Sequence, residues 1–214
     1  MKVQMLTVGM LRTNCYIAWQ EGSSECVIVD PGAEAKKIEL KLSQEGLTPK
    51  AILLTHAHFD HILAVEPLKE SFPEIEVYAL DAEAPLFADP DANLSNMMRT
   101  PVTLSGIEFL SDGDDVTLAG IRFIVLATPG HTAGSCCFYA PEEKALFSGD
   151  TLFQESMGRT DFPSGDGDAI IRSISETLME LPDETKVYPG HEGVTDIGHE
   201  RKYNPAVVLY GRFF

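Results

Sequence analysis

The sequence lacks any apolar run long enough to cross a bilayer, and it is poor in basic residues. No stretch reaches the roughly 18 uncharged apolar residues of a membrane span. The first ten residues lack the apolar segment and the small-residue cleavage site of a secretory signal. We therefore expect a cytoplasmic protein with no membrane partner. Lysines and arginines number 16 against 33 acidic residues, and the formal net charge of −17 repels phosphate backbones, so we expect no nucleic-acid partner.

Cysteine is also scarce. Only four cysteines occur in 214 residues: Cys136 and Cys137 are adjacent, while Cys15 and Cys26 lie in apolar, strand-like runs. This spacing is neither that of a disulfide framework nor that of a paired Cys-x-x-Cys metal knuckle. We therefore expect four buried thiols that act as small apolar side chains.

The remaining composition, 44% hydrophobic and 23% charged, is that of an ordinary globular protein with enough material for one sizeable core. Strand-like and helix-like segments are mixed along the chain, and no Pro/Gly/Ser-rich linker divides them. We predict one domain over residues 1–214, with an α/β sandwich fold. Strands are predicted at 14–20, 26–30, 51–55, 76–80, 121–127, 135–140, 145–148 and 186–188, and helices at about 33–46, 60–71 and 168–181. Residues 81–105 show no clean period, which indicates a short helix and a loop over one face.

One segment concentrates potential metal ligands directly after a predicted strand. The run T-H-A-H-F-D-H places His56, His58, Asp60 and His61 within six residues. Imidazole and carboxylate are ligands that zinc and related divalent ions accept. His56 and His58, two apart in an extended turn, can point the same way, whereas Asp60 and His61 fall where a helix begins and face a different point. One short segment can thus serve two metals.

Three further candidate ligands follow later strands. His131, Asp150 and His191 each come after an apolar run that stops at a glycine, in A-T-P-G-H, L-F-S-G-D and V-Y-P-G-H. Glycine allows close backbone approach, and the carboxyl ends of strands are where open α/β folds usually bind ligands. Five of the six histidines of the chain fall in these segments. Such clustering favours metal binding over isolated core or surface histidines.

These segments, with T-P-G-H-T-A-G-S, F-S-G-D-T-L-F, G-R-T-D-F-P and Y-P-G-H-E, resemble the metallo-β-lactamase-fold hydrolases from roughly residue 5 to residue 205. Within that superfamily the sequence is most similar to the single-domain, glyoxalase II-like hydroxyacylglutathione hydrolases. The resemblance implies a four-layer αββα sandwich with the metals at one edge between two sheets. It also implies a division of ligands: His56, His58 and His131 on one metal, Asp60, His61 and His191 on the other, and Asp150 bridging both.

The activity implied by the resemblance is hydrolysis of a small thioester, of the hydroxyacylglutathione type. Two divalent ions lower the pKa of a shared water, so that a bridging hydroxide held beside Asp60 and Asp150 is the expected nucleophile. A thiolate leaving group needs little acid assistance. We expect two zinc ions, with iron or manganese as alternatives because mixed His and carboxylate ligands discriminate these ions poorly.

Arg159, in G-R-T-D, matches the position where the family places a basic residue against the glutathione moiety. A guanidinium there could hold a substrate carboxylate bidentately. The alternative is an internal ion pair with Asp161 or another carboxylate. Only 23 residues follow His191, so we expect none of the C-terminal helical domain that supplies glutathione contacts in two-domain glyoxalase II enzymes.

Other activities of the same fold are alternatives. A mono-iron persulfide dioxygenase resembles this chain in its H-x-H-x-D-H and G-R-T-D-F stretches and uses the counterparts of His56, His131 and Asp150, which would leave His191 superfluous. A β-lactamase normally requires export and often has a cysteine in place of a bridging Asp. A purely structural metal site is disfavoured, because seven ligands for two metals leave a position open for water.

Overall fold

The computed structural model describes residues 1–209, so the last five residues of the predicted domain lie outside the described part. Two six-stranded sheets pack face to face, and helices cover the outer face of each sheet. The predicted α/β class and the four-layer αββα order are confirmed.

The first sheet comes from the N-terminal half of the chain. Its first three strands pair antiparallel, and three more are then added in parallel, which requires crossover connections. In sheet order the strands are β1 (Lys2–Val8), β2 (Thr13–Trp19), β3 (Glu25–Val29), β4 (Thr48–Leu54), β5 (Glu76–Leu80) and β6 (Glu108–Leu110).

The second sheet comes from the C-terminal half. Its strands, with a short separate ribbon of β11 and β12, are β7 (Asp115–Leu118), β8 (Ile121–Ala127), β9 (Cys136–Ala140), β10 (Ala145–Gly149), β11 (Leu152–Phe153), β12 (Ser156–Met157), β13 (Lys186–Pro189) and β14 (Thr195–Asp196). The order across the sheet is β14-β13-β10-β9-β8-β7. Because β9 runs antiparallel to both β8 and β10, and β13 runs parallel to β10, the strands β8, β10 and β13 end at the same edge.

The helices are short. They are α1 (Ala35–Glu45), α2 (Phe59–Ile62), α3 (Val65–Ser71), α4 (Ala84–Phe87), α5 (Gly167–Arg172), α6 (Ile197–Tyr203) and α7 (Pro205–Val208). The helix predicted at 60–71 is divided into α2 and α3, because the N–H of Ala64 donates to the carbonyl of Pro31 (2.9 Å) instead of continuing the helical ladder. Within residues 1–209, no helix combines the length and apolar character needed to span a membrane.

Three apolar layers hold the four structural layers together. Successive residues of a strand face opposite sides of a sheet. In β3, Ile28 therefore packs on the helical side with α1 and α3, while Val27 faces the second sheet. In β9, Phe138 faces the first sheet and Tyr139 packs beneath α5. The inter-sheet layer is the one that fixes how the strand ends of the two sheets meet.

All four cysteines are free and buried, as predicted. Desolvation by burial raises the pKa of Cys26 and of Cys137 to about 12. It also raises the pKa of Cys15 and Cys136 well above the usual range of a thiol, with a smaller contribution from neighbouring negative charge. Thiols this far from ionisation act as packing groups rather than as nucleophiles or metal ligands.

Candidate metal centre

The seven predicted ligands lie at one edge of the molecule, where strands of both sheets end. The carboxyl ends of β8, β10 and β13 share that edge, and the end of β4 meets them there: the N–H of Cys136 donates to the carbonyl of Thr55 (2.9 Å). The first four ligands follow β4, two before α2 and two in its first turn, and one ligand follows each of the other strands. They are His56, His58, Asp60, His61, His131, Asp150 and His191.

The first group of donors consists of His56, His58 and His131, all buried, with their ligand atoms within 4.8 Å of one another. Nδ1 of His58 lies 2.8 Å from Nε2 of His131. The hydroxyl of Thr55 lies 3.1 Å from Nδ1 of His56, which leaves Nε2 of that ring for a ligand. Three imidazoles that converge in this way have the donor set of a zinc site.

The second group consists of Asp60, His61 and His191. Oδ2 of Asp60 lies 3.3 Å from Nε2 of His191 and 3.6 Å from Nε2 of His61. The hydroxyl of Thr13 donates to the same carboxylate oxygen (2.8 Å) and so fixes its direction. The structure therefore places His58 and Asp60 in different groups of donors, while the ligand atoms of His56 and His61 also lie within 4.8 Å of each other and of that of Asp150.

Asp150 lies between the two groups. Its Oδ1 is 3.4 Å from Nε2 of His61, and its Oδ2 is 3.6 Å from Nε2 of His131 and 3.5 Å from Nε2 of His191. One carboxylate thus faces the donors of both groups. The geometry suits a ligand that is shared by two cations.

Several of these donors lack any partner within the described chain. Nε2 of His56, Nε2 of His61 and Oδ1 of Asp150 are buried and make no hydrogen bond. Buried polar atoms are nearly always paired, because an unpaired one costs roughly 1–3 kcal/mol. Unpaired atoms that converge in this way fit a bound divalent cation, and with the donors of both groups the residues present suit two metal ions.

The electrostatics of the cluster favour cations. Burial, followed by the charges of neighbouring histidines, lowers the pKa of His58 to about 3 and that of His56 well below its usual value, so both rings are the neutral imidazoles that metals bind. Burial also acts to lower the pKa of His61, but the carboxylates of Asp60, Asp150 and Asp30 outweigh it and raise that pKa to about 10. The negative field that holds a proton on His61 would equally hold a cation.

Asp30, at the end of β3, is a buried residue that the sequence analysis missed. Its carboxylate accepts hydrogen bonds from the N–H (2.9 Å) and the hydroxyl (2.7 Å) of Thr55. Nδ1–H of His61 donates to the same group (3.0 Å), which turns Nε2 toward Asp60 and Asp150. The run C-V-I-V-D, an apolar strand followed directly by an acid, shares part of the pattern that identified Asp150 but lacks its glycine, so the signal was weaker.

Glu83 is a second residue that sequence reasoning missed, and here no signal pointed to it. The side chain is fully buried, in the single turn of 3₁₀ helix at Asp81–Glu83. Oε1 accepts from the N–H of Ala57 (2.8 Å), and Oε2 accepts from the hydroxyl of Thr132 (2.9 Å) and the N–H of Gly134 (3.0 Å). Burial raises its pKa to about 7 despite these bonds. Glu83 thereby ties the segment of His56 and His58 to the loop of His131.

Two glycines permit the close approach on which the site depends. A Cβ at Gly190 would collide with the carboxylate of Asp150 and the ring of His61. Gly149 has a φ of 48°, in the left-handed region, and a Cβ there would collide with the side chain of Thr55. The glycine that precedes Asp150 and the one that precedes His191 are therefore required by space, as the sequence analysis predicted.

A cavity of about 230 Å³ opens over both groups of donors and is lined in part by Phe153, Phe162 and Arg159. The guanidinium of Arg159 is exposed and makes a bidentate pair with Asp161 (2.8 and 2.9 Å). It also lies 4.3 Å from the ring centre of Phe162. The backbone carbonyl of Arg159 accepts from Nδ1–H of His131 (2.6 Å). The internal ion pair considered as the alternative for Arg159 is thus present, at the rim of the cavity.

Comparison with known proteins gives a consistent result. A family model described as the metallo-beta-lactamase superfamily matches residues 8–191. The chain is 39% identical to the probable metallo-hydrolase YqgX of Bacillus subtilis, over 96% of this chain and 97% of that one. It is 33% identical to the hydroxyacylglutathione hydrolase GloC of Haemophilus influenzae, again over 96% and 97%.

Two solved structures are also similar over nearly the whole chain. The BLEG-1 B3 metallo-beta-lactamase superposes with a TM-score of 0.91 at 39% identity, covering 97% of this chain and all of the other. The protein TTHA1623, crystallised in a di-iron-bound form, gives a TM-score of 0.83 at 40% identity, covering 94% of this chain and 98% of the other.

We predict that Glu83→Gln weakens the centre without altering a ligand. A glutamine has a single acceptor oxygen for three donors, so at least one buried donor loses its partner, at a cost of about 1–3 kcal/mol in the free energy of unfolding. Metal affinity should fall by about tenfold or more, as is usual when the groups that orient ligands are lost. Urea denaturation and competitive zinc titration would measure the two effects. Asp81→Asn, an exposed carboxylate in the same turn, is the matched control; equal values for both variants would contradict the role given to Glu83.

Proposed function

This chain belongs to the metallo-beta-lactamase superfamily, and from that membership we propose that it is a dinuclear metal-dependent hydrolase of thioesters of the hydroxyacylglutathione type. The observation that carries the proposal is the position of Asp150, whose two carboxylate oxygens face His61 of one donor group and His131 of the other. The donors of both groups, with Asp150 between them, would hold two cations.

We propose zinc for both positions, since imidazole and carboxylate donors suit it. Iron and manganese accept the same donors, and the similar protein TTHA1623 was crystallised with two irons. When bound, such a pair of ions lowers the pKa of a water molecule and polarises an acyl carbonyl.

The chain itself holds and orients these groups. Asp30 and Thr13 fix the directions of His61 and Asp60. The rings of Phe162 and Phe153 flank the two donor groups, 5.4 Å from the ring of His58 and 6.1 Å from that of His191. Apolar rings at that distance exclude bulk water and strengthen the electrostatic interactions inside the cavity.

The lining of the cavity supports a thioester as substrate. Within residues 1–209, its titratable side chains are the proposed ligands and Arg159, so no separate acid stands ready to protonate a leaving group. A thiol has a pKa of about 8.5, and its thiolate can leave without a proton. An amine or alkoxide leaving group would need one.

Two observations support a glutathione-linked substrate. One is the likeness to GloC, which is named a hydroxyacylglutathione hydrolase. The other is Arg159, whose exposed guanidinium could exchange Asp161 for a substrate carboxylate and keep a bidentate partner.

The likeness to the BLEG-1 B3 metallo-beta-lactamase supports opening of a β-lactam ring as a second candidate activity. The absence of a separate acid among the described lining residues favours the thioester over the lactam. A mono-iron persulfide dioxygenase has less support, because Asp60 and His191 form a second donor group that one iron would not use.

The proposal is tested on the purified holoprotein by metal analysis together with three activity assays. We expect close to two metal ions per chain and hydrolysis of S-lactoylglutathione at a higher kcat/KM than that of a chromogenic cephalosporin. One iron per chain, with oxygen consumed when glutathione persulfide is supplied, would replace the hydrolase with the dioxygenase. Efficient cephalosporin turnover without thioester turnover would favour the lactamase.

We expect Asp60→Asn and Asp150→Asn to have unequal effects. Both are close in shape to the original residue and remove one negative charge. Asp60 faces one donor group, so its loss should mainly deplete one ion and leave residual hydrolysis. Asp150 faces both groups, so its loss should weaken both ions together. Metal content and thioester hydrolysis, with circular dichroism as a folding check, would measure this; two metals and full activity in Asp150→Asn would refute a shared ligand.

We expect Arg159→Ala to raise the KM for a glutathione thioester by about tenfold while kcat changes less than twofold, since a contact remote from the reacting bond stabilises ground and transition states alike. Arg122→Ala is a matched control, because Arg122 is also exposed and makes a bidentate pair, with Asp115, away from the cavity. Steady-state kinetics of both variants would decide the matter. If Arg159→Ala and the natural protein have the same KM for the glutathione thioester, Arg159 is a structural residue.

A further inference from the structure

A second cavity, of about 260 Å³, lies beside the metal centre and has no role in the function proposed above. We call it the side cavity. The turn between β1 and β2 supplies Met10 and Leu11, and the segment after β3 supplies Ala33. Leu63 follows α2, and Met98 ends a turn of 3₁₀ helix, Ser95–Met98, within the loop between α4 and β6. Its walls are therefore predominantly apolar, in a protein whose net charge is −17.

The side cavity and the cavity over the metal centre share three lining residues, Leu11, Phe59 and Asp60. The side cavity alone is a little smaller than the roughly 300 Å³ at which small-molecule sites begin, so it fits one part of a substrate rather than a whole one. A group that occupies the side cavity would pass directly beside Asp60, which belongs to the second donor group.

The walls of the side cavity are held in place and also uncovered. The N–H of Phe59 donates to the carbonyl of Asn93 (2.9 Å), and the amide of Asn93 donates to the carbonyl of Val102 (2.8 Å), which ties the loop that carries Met98 to α2. Met10 is nevertheless 79% exposed and Leu11 51% exposed. These apolar side chains lie at the mouth of a fixed cavity. An apolar ligand that covers them removes their surface from water, which makes binding more favourable.

The positions of Arg159 and of the side cavity predict how a substrate would lie across the metal centre. Arg159 lies beside His131 of the first donor group, to which its own carbonyl is bonded. The side cavity lies beside Asp60, which belongs to the second group. If the carboxylate-bearing thiol of a thioester lies toward Arg159, the acyl group on the other side of the carbonyl points to the side cavity.

We propose that the side cavity binds the acyl chain of the substrate, so that the preferred substrates are thioesters whose acyl group carries an apolar chain longer than the methyl of a lactoyl group. The inference rests on the proposed function and deepens it, because it assigns substrate preference to the turn between β1 and β2 and to the loop of Met98. Each added methylene that enters the cavity should raise kcat/KM by up to about fourfold, the equivalent of its transfer from water.

The test uses S-(2-hydroxyacyl)glutathiones with three to eight acyl carbons and, separately, binding of the matching free 2-hydroxy acids to the holoprotein by titration calorimetry. In the natural protein, kcat/KM should rise and Kd should fall with chain length. Met98→Glu should flatten both trends, because it places a charge in the apolar wall. Met10→Glu, on the opposite wall and highly exposed, is a second variant that should do the same.

Met97→Glu is the matched control, since Met97 is 74% exposed and lines neither cavity; its chain-length trends should equal those of the natural protein. Hydrolysis at equal kcat/KM for every chain length, or trends that survive both cavity variants, would overturn the acyl assignment and leave the hydrolase intact. In lactoyl thioesters of thiols of different length, a rise in kcat/KM with the length of the thiol would also overturn the acyl assignment. Length-dependent acid binding without hydrolysis would sustain the cavity assignment and refute the thioesterase.

Discussion

The packing of one sheet on the other sets the distance on which the metal centre depends. Four of the proposed ligands follow β4 of the first sheet, and three follow strands of the second. Donor atoms from both sheets can lie within 4.8 Å only if the sheets pack closely and in one register. The apolar inter-sheet layer supplies the closeness, and the hydroxyl of Tyr16, which donates to the carbonyl of Pro189 (2.6 Å), links β2 to the strand that ends before His191.

Buried carboxylates then convert that approximate meeting of strand ends into a defined geometry. Asp30 and Glu83 each accept several hydrogen bonds from the segments that carry ligands, so that backbone and rings are held before any metal is present. Burying negative charge is costly unless positive charge or several donors face it. The donors that face Asp30 and Glu83 offset this cost, so the hydrogen bonds that allow these carboxylates to be buried also orient the segments that carry the proposed ligands.

The sequence was informative where an apolar strand is followed by a glycine and a ligand, because the strand is buried and its end can lie only at the sheet edge. Asp150 and His191 follow from that pattern, although their role as ligands stays a prediction. Weakly patterned strands such as β6 and β7, three and four residues long, gave no such signal. The division of α2 from α3 depends on a bond from Ala64 to Pro31, a tertiary contact that no local pattern encodes.

The site residues that escaped prediction show the same division. Asp30 ends an apolar strand and could have been found, whereas Glu83 lies in the region 81–105, where the chain has no period. Its importance comes from three donors that approach it from segments 26 to 51 residues away in sequence. The role of Arg159 could not be predicted from sequence, because an exposed guanidinium beside Asp161 can remain in that ion pair or bind a substrate carboxylate.

The buried, un-ionised cysteines have a consequence for a catalyst that releases a thiol at each turnover. Thiol–disulfide exchange requires an accessible thiolate, and none of the four cysteines offers one: all are buried, and desolvation keeps each of them protonated at neutral pH. Under the proposed function, the released thiol and its disulfides therefore meet no reactive cysteine on the enzyme. Mixed disulfides cannot accumulate on the folded chain, so thiol–disulfide exchange gives the surrounding thiol pool no route to alter its activity.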